Sequence, residues 1–347
     1  MKRVPLIVFI LLIAISIALF MKMTEKKWIK GWKTGPPLNV ERSGAGAAVV
    51  EGKIYLVGGG RSADNEVVFL KDVEWTTIGK DGNPGKWGLT APLNTQRGFV
   101  AVVAAKGYIY AIGGANFDEG GTLLGSVEAA KINANGTLGP WRLASPMTTP
   151  RRGASAVVGD GYIYVIGGFN GVFLQNVERA KIGNEGDLGP WELIEGLLTT
   201  NRYIHAVTSF NGRVYALGGH NKEDGSAKFS AEWTKINSDG SLDAWRETAP
   251  LNAPRFLFEA TASGGYLFVA GGFNMEYLKS VEKARINKDG GIGTWSETTP
   301  LSVPKAGSTL ISDGRYIYSI GGSNKERYLN LVEYATLDEK GELGYIE

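Results

Sequence analysis

The chain's 347 residues leave room for one large all-β domain or two ordinary ones, and its 49 glycines, about twice the usual share, come without the proline excess or triplet period of collagen or disorder. Thirty-seven basic residues stand against 35 acidic ones; setting aside Lys2 and Arg3 at the N-terminus leaves 35 against 35, so the basic excess of a nucleic-acid-binding surface is missing and no nucleic-acid partner is expected. There is no cysteine, which excludes disulfides, thiolate metal sites and cysteine nucleophiles.

The first predicted element is an apolar helix. Lys2 and Arg3 precede a run from Val4 to Met21 that only Pro5 and Ser16 interrupt, just long enough to span a bilayer. Ser16-Ile17-Ala18 has the small-x-small form of a cleavage site, yet Leu19-Phe20-Met21 stay apolar beyond it. Residues 1–21 therefore read as a retained signal anchor, contacting the membrane through residues 4–21. A signal peptide, cleaved to release the rest, is the alternative. Residues 22–31 read as a linker. Lys22, Lys26, Lys27, Lys30 and Lys33, counted literally, favour a cytoplasmic location for the chain beyond the run. The short basic start before an apolar run favours export instead, and an extracytoplasmic domain, periplasmic or at the cell surface, is the expectation.

From Trp32 to the C-terminus the sequence repeats. Six segments read alike: IYLVGG from Ile54, IYAIGG from Ile109, IYVIGG from Ile163, VYALGG from Val214, LFVAGG from Leu267 and IYSIGG from Ile317. Their spacings of 55, 54, 51, 53 and 50 residues are those of a four-stranded repeating sheet longer than a WD40 unit. A turn pair such as Asp160-Gly161 or Asn211-Gly212 precedes each segment, the signature of a tight hairpin whose central residues need positive φ. After the glycine pair come a variable loop, a strand carrying Glu (Glu74, Glu128, Glu178, Glu232, Glu282, Glu333), a second Gly turn and, in five units, a Trp at 87, 141, 191, 245 or 295. A basic residue then opens the next unit.

One such sheet is exposed on both faces, and radial stacking buries both. The pattern predicts an all-β six-bladed propeller over residues 32–347. The last unit stops at Leu343-Gly344-Tyr345-Ile346, where its Trp strand is due, and Gly31-Trp32 has the right offset to supply that strand. The N-terminal strand is thus expected to complete the final blade.

The glycine pair, the Val-Glu and the spaced Trp resemble the kelch superfamily, from Trp32 to Glu347, and the DG-x-L-G-x-W form of the turn resembles its bacterial members. Kelch propellers mostly serve as binding scaffolds. The resemblance implies a binding or interaction module at the envelope, recognising a glycan or a protein through the loops of one face, rather than an enzyme. The alternative is a cofactor-free epimerase or mutarotase for an acidic sugar such as sialic acid, since the bacterial sialic acid mutarotases are similar in blade count and export.

Repetition within one chain separates two kinds of residue. What all six units share is expected to hold the blade; what one unit alone carries is the better candidate for function. The six Glu are expected to tie down backbone or charge inside a blade. The basic series Arg42, Arg97, Arg151, Arg202, Arg255 and Lys305 has two readings. Either it does the same, or, as the resemblance implies, it looks towards the channel mouth and receives carboxylates there.

Glu259 is the sharpest departure. Four residues after the basic position the other units have Gly46, Ala101, Ser155, Ala206 and Thr309. It is the catalytic candidate, a general acid/base served by Arg255, Arg202 and Arg97, or else half of a buried ion pair. Tyr203, with Phe99 and Phe256, is a candidate for stacking on a ligand ring, core packing being the alternative. His220, after the fourth glycine pair, is a candidate at the mouth, whereas His205 falls where kelch repeats commonly carry a structural His. Asn116, Asn170, Asn274 and Asn324 read as turn formers.

No metal and no cofactor are expected. Two His without carboxylates at ligand spacing make a poor zinc or iron site, and no P-loop or nucleophile elbow occurs. Galactose oxidase has similar blades, but its copper-radical site needs a Cys–Tyr thioether that this chain cannot form.

Overall fold

The computed structural model describes residues 27–64, 66–117, 122–194, 196–221 and 226–347. The apolar run of residues 4–21 lies outside them. The described residues contain no helix, and so none long and apolar enough to cross a membrane. They form an all-β six-bladed propeller of four-stranded blades.

In blade 1 the strands are Gly46–Val50, Lys53–Val57, Val73–Thr77 and Gly88–Leu89, hydrogen-bonded in that order. The other inner strands are Ala101–Ala105, Ser155–Gly159, Ala206–Phe210, Glu259–Ser263 and Thr309–Ser312. Each neighbours the next, and the sixth neighbours the first. Crowding at the axis dictates small residues there: a Cβ on Gly46 would fall 2.4 Å from Val102 Cγ2. The turn pairs behave as their sequence requires. Glu51-Gly52, Lys106-Gly107, Asp160-Gly161, Asn211-Gly212 and Gly264-Gly265 have both residues at positive φ. In blade 6 only Gly314 does, and Asp313 Oδ1 instead accepts from the amides of Arg315 and Tyr316.

The buried apolar residues divide into six clusters, each shared by two adjacent blades. Tyr110 and Ile112 of blade 2, for example, pack on Ile163, Val165 and Trp191 of blade 3, and Tyr318 and Tyr334 of blade 6 pack on Ile54, Leu56 and Trp87 of blade 1. No blade has a core of its own, which is the physical reason for the ring.

Most polar atoms in these interfaces are also satisfied across blades, Tyr110 Oη and Trp245 Nε1 being buried without a partner among the described residues. Tyr55, Tyr164, Tyr215 and Tyr318 each donate to the carbonyl of the second-turn glycine of the next blade, Gly136, Gly240, Gly290 and Gly82, at 2.8–3.0 Å. The indoles of Trp87, Trp141, Trp191 and Trp295 donate back to the preceding blade, and Trp32 Nε1 does likewise to Thr299 O at 3.0 Å.

In blade 6, Lys33 stands opposite Tyr334 and Thr34 opposite Glu333. Leu343–Ile346 also pairs with the third strand, and Trp28–Lys30 pairs with Leu343–Ile346 in turn. Residues 28–30, inside the stretch read as a linker, are therefore strand, because the edge of Leu343–Ile346 offers unpaired backbone groups.

Candidate functional site

The basic series does not look into the channel. Arg42, Arg97, Arg151, Arg202, Arg255 and Lys305 are all buried, at 0–1% exposure, and each pairs with the Glu of its own blade. In blade 2, Arg97 Nη2 reaches Glu128 Oε1 at 2.7 Å, while Nη1 donates to Gly113 O and Ser126 O. Glu128 in turn accepts from the amides of Asn94 and Thr95 at 2.8 and 3.1 Å. The pair thus caps backbone groups at the glycine pair and at the turn entering the blade, groups that would otherwise be buried without partners. Lys305 reaches only Glu333, at 2.9 Å. These six positions are corrected from ligand contacts to blade clamps.

Two residues beyond the clamp base the chain forms the neck of the axial channel. Gly44, Phe99, Gly153, Ile204, Leu257 and Gly307 all have φ between 45° and 64°. The amide of each donates to the carbonyl of its counterpart in the preceding blade, at 2.7–3.1 Å, and Gly44 N closes the cycle on Gly307 O. Six hydrogen bonds so form a closed loop around the axis. Left-handed backbone is the geometry this needs, and a β-branched residue there, such as Ile204, is strained.

Below the neck, two small cavities of about 50 and 120 Å³ share Val100, Ala154, Ser155 and Glu259 in their walls. Glu259 stands there without a hydrogen bond or ion pair among the described residues. It is paired with no single arginine, and Arg255, Arg202 and Arg97, each bound to the Glu of its own blade, do not serve it. Burial, with no positive charge to offset it, pushes its pKa up to about 8. His205 borders the upper cavity. It is buried, with neither ring nitrogen partnered, and burial, then the Arg202 charge, pushes its imidazole down to about 3. It is a neutral packing residue, as the resemblance implied.

Above the neck the mouth is divided into two unlike halves. In each blade the residue after the clamp base bridges to the residue after the glycine pair: Ser43 to Gly60, Gly98 to Ala115, Arg152 to Phe169, Tyr203 to His220, Phe256 to Phe273, Ala306 to Ser323. Blades 6, 1 and 2 therefore present small side chains, and blades 3, 4 and 5 large ones. Phe169, Tyr203, His220, Phe256, Phe273 and Tyr277 follow one another with centroids 5.1–5.5 Å apart, a continuous aromatic wall. Tyr203 and His220 thus both lie at the mouth, within the wall, and Phe256 joins them. Burial pushes the Tyr203 hydroxyl up, offset in part by nearby Arg152. Phe99 packs instead on Phe69.

Val67, Phe117, Val172 and Met275, on the loops of this same face, are exposed. Next to the wall, Tyr277 and Tyr328 border a polar cleft of about 590 Å³ with Glu41, Asn324 and Arg327. Reading the repeat missed Arg152. The signal was there, since the position after the clamp base reads Ser43, Gly98, Arg152, Tyr203, Phe256 and Ala306, a charge in one unit only.

Comparison with known proteins agrees with this architecture. The kelch motif model matches residues 41–75 and 150–179, stretches that hold the clamps of blades 1 and 3. Human Kelch-like protein 13 is 36% identical over 85 residues, 24% of this chain and 12% of that protein. Beta-scruin of Limulus polyphemus is 23% identical over 265 residues, 73% of this chain and 27% of that one. The chain thus spans less than a third of the length of either relative. The solved structure of YjhT superposes with a TM-score of 0.72 at 14% identity, covering 90% of this chain and 99% of that one, a likeness of fold. With the motif matched in two blades, its glycine pair repeated in all six and the Arg–Glu clamp in five, with Lys305–Glu333 in the sixth, the chain is a kelch-repeat β-propeller.

Proposed function

We propose that this propeller is a protein-interaction module that binds its partner on the face bearing the aromatic wall. The observation that carries the reading is the wall itself, six rings in line from Phe169 to Tyr277, with Val172 and Met275 projecting beside it. The rings are half-buried, Tyr203 buried, and the exposed apolar surface beside them comes from Val172, Met275, Val67 and Phe117. Exposed apolar surface marks interaction sites, and aromatic residues are the side chains on which such interfaces concentrate their energy. The propeller stands outside the cytoplasm, tethered through residues 4–21, a placement supported by the basic start and apolar run of the N-terminus. Pairing of Lys33–Thr34 and Trp28–Lys30 within blade 6, with the indole bond of Trp32, supports the N-terminal strand as the closure of the ring.

A saccharide ligand draws support from the tyrosine-flanked polar cleft alone. The acidic-sugar isomerase reading keeps Glu259 but loses the arginines assigned to it, which are spent in the clamps.

The test is Val172→Lys with Met275→Lys in the full chain, followed by affinity recovery from native membranes. Partners held by the wild type should be absent from the variant while its thermal unfolding stays unchanged. Recovery of the same partners by both chains would remove the face from the proposal. An alkaline phosphatase fusion to the C-terminus should be active if the propeller is exported, and inactivity overturns that placement.

A further inference from the structure

Among the described residues, one cation on the wall has no counterion. Arg152 is half-buried, with its guanidinium carbon 5.4 Å from the Phe169 ring centroid, 5.6 Å from that of Tyr203 and 5.9 Å from that of Phe117. Its Nε is buried without a hydrogen-bond partner, and among the described residues no carboxylate lies within ion-pair distance. The contrast with its neighbour is sharp: Arg151 is fully spent on Glu178, Gly167 O and Asn176 Oδ1.

Among the described residues neither Glu259 nor Arg152 has a compensating charge, but they differ in what they can do about it. A carboxylate can take up a proton. A guanidinium stays charged in proteins, so a partly desolvated one retains its demand for an anion. The surrounding rings hold the cation by their faces and supply no hydrogen-bond acceptor for its forked N–H groups apart from the Tyr203 hydroxyl. That fork matches a carboxylate bidentately.

Resting on the interaction-face reading, we propose that Arg152 is the specificity anchor of the wall, and that the partner is a protein segment presenting an Asp or Glu side chain flanked by apolar residues. The carboxylate pairs with the guanidinium while the flanking side chains lie on Phe169, Tyr203 and Phe173, whose ring extends the wall with its centroid 5.2 Å from that of Phe169 and 6.1 Å from that of Tyr203. Charge complementarity selects this occupant over a purely apolar one, which would bury the guanidinium further without a partner, and over a basic one, which it would repel.

The experiment is panning of the full chain, held in detergent micelles, against a random heptapeptide phage library, with fluorescence anisotropy of the recovered sequences as labelled peptides. Recovered peptides should share an acidic position with apolar neighbours. Changing that residue to Gln or Asn in the peptide, or Arg152→Gln in the propeller, should each weaken binding tenfold or more, and the two together should add little further. The peptide substitution needs no change in the propeller, so it stands even where Arg152→Gln harms folding. Phe173→Ala, which alters the wall but not a contact of Arg152, separates the two claims. Peptides that need Phe173 but carry no acidic position, or that ignore Arg152→Gln, overturn the anchor and leave the interaction face intact. Peptides indifferent to both variants overturn both, and so does recovery of no peptide at all.

Discussion

Replacing Glu128 by Leu tests the clamp most directly. The change leaves Arg97 as a fully buried cation with no counterion, and it orphans the amides of Asn94 and Thr95. Breaking a buried pair from one side costs about 3–5 kcal/mol, and each stranded amide adds to that within its own range of about 1–3 kcal/mol. A loss of roughly 5–7 kcal/mol is expected with each amide at the lower end of its range, a large part of the roughly 5–15 kcal/mol that holds an ordinary domain together.

The informative variant is the double one, Arg97→Leu with Glu128→Leu. A buried ion pair that serves only itself is often replaced by hydrocarbon at no cost. Here Gly113 O and Ser126 O lose the donor that Arg97 supplied, and the two amides stay orphaned, so about 4 kcal/mol should remain lost if each of the four groups costs near the lower end of its range. Arg97→Lys copies the Lys305–Glu333 arrangement of blade 6. It keeps the charge and forfeits the two carbonyl bonds, for about 1–3 kcal/mol, given about 1 kcal/mol for each typical bond. Guanidinium unfolding followed by tryptophan fluorescence measures all three. A double variant as stable as the wild type would falsify the backbone-capping role and reduce the clamp to an ion pair.

Three further outcomes are expected. For Glu259, whose pKa in the fold is about 8 against the usual carboxylate value, the folded state holds the extra proton between those values. Stability therefore falls as pH rises from the usual carboxylate range through about 8 and levels off above it; Glu259→Gln should remove that slope and unfold at higher temperature than the wild type at pH 9, and parallel pH profiles would refute the unpaired, desolvated carboxylate. For His205, held near 3 in the fold, the sign is opposite. The unfolded chain binds the proton first, so stability is lost as pH falls below about 6.5, and His205→Phe, which copies Phe258 at the equivalent place in blade 5, should flatten the acid limb of a melting-temperature profile. Trp32→Phe removes the bond to Thr299 O between blades 5 and 6 and should cost about 1 kcal/mol, read by chemical unfolding; a similar cost from Trp87→Phe is expected, and no cost from Trp32→Phe alone would show that the N-terminal strand bears none of the ring's stability.

Period and turn chemistry were decided by the amino-acid sequence alone. Fifty-odd residues between glycine pairs, with paired turn residues ahead of each IY strand, dictate four-stranded units, because local backbone geometry and alternation depend only on near neighbours. The exposed faces of such a unit require the ring. What the sequence could not settle was which way the shared charges point. Arg97 looking into the channel and Arg97 folded back on Glu128 have the same spacing along the chain, and only the distance to Gly113 O chooses between them. The neck at Phe99, Ile204 and Leu257 was hidden for the same reason. Its hydrogen bonds join residues some fifty positions apart, and nothing about Ile204 as a residue announces a left-handed backbone. The split of the mouth into small and aromatic halves arises because residues a full unit apart become neighbours around one axis, and it took that closure to bring Arg152 among the rings of Phe117, Phe169 and Tyr203.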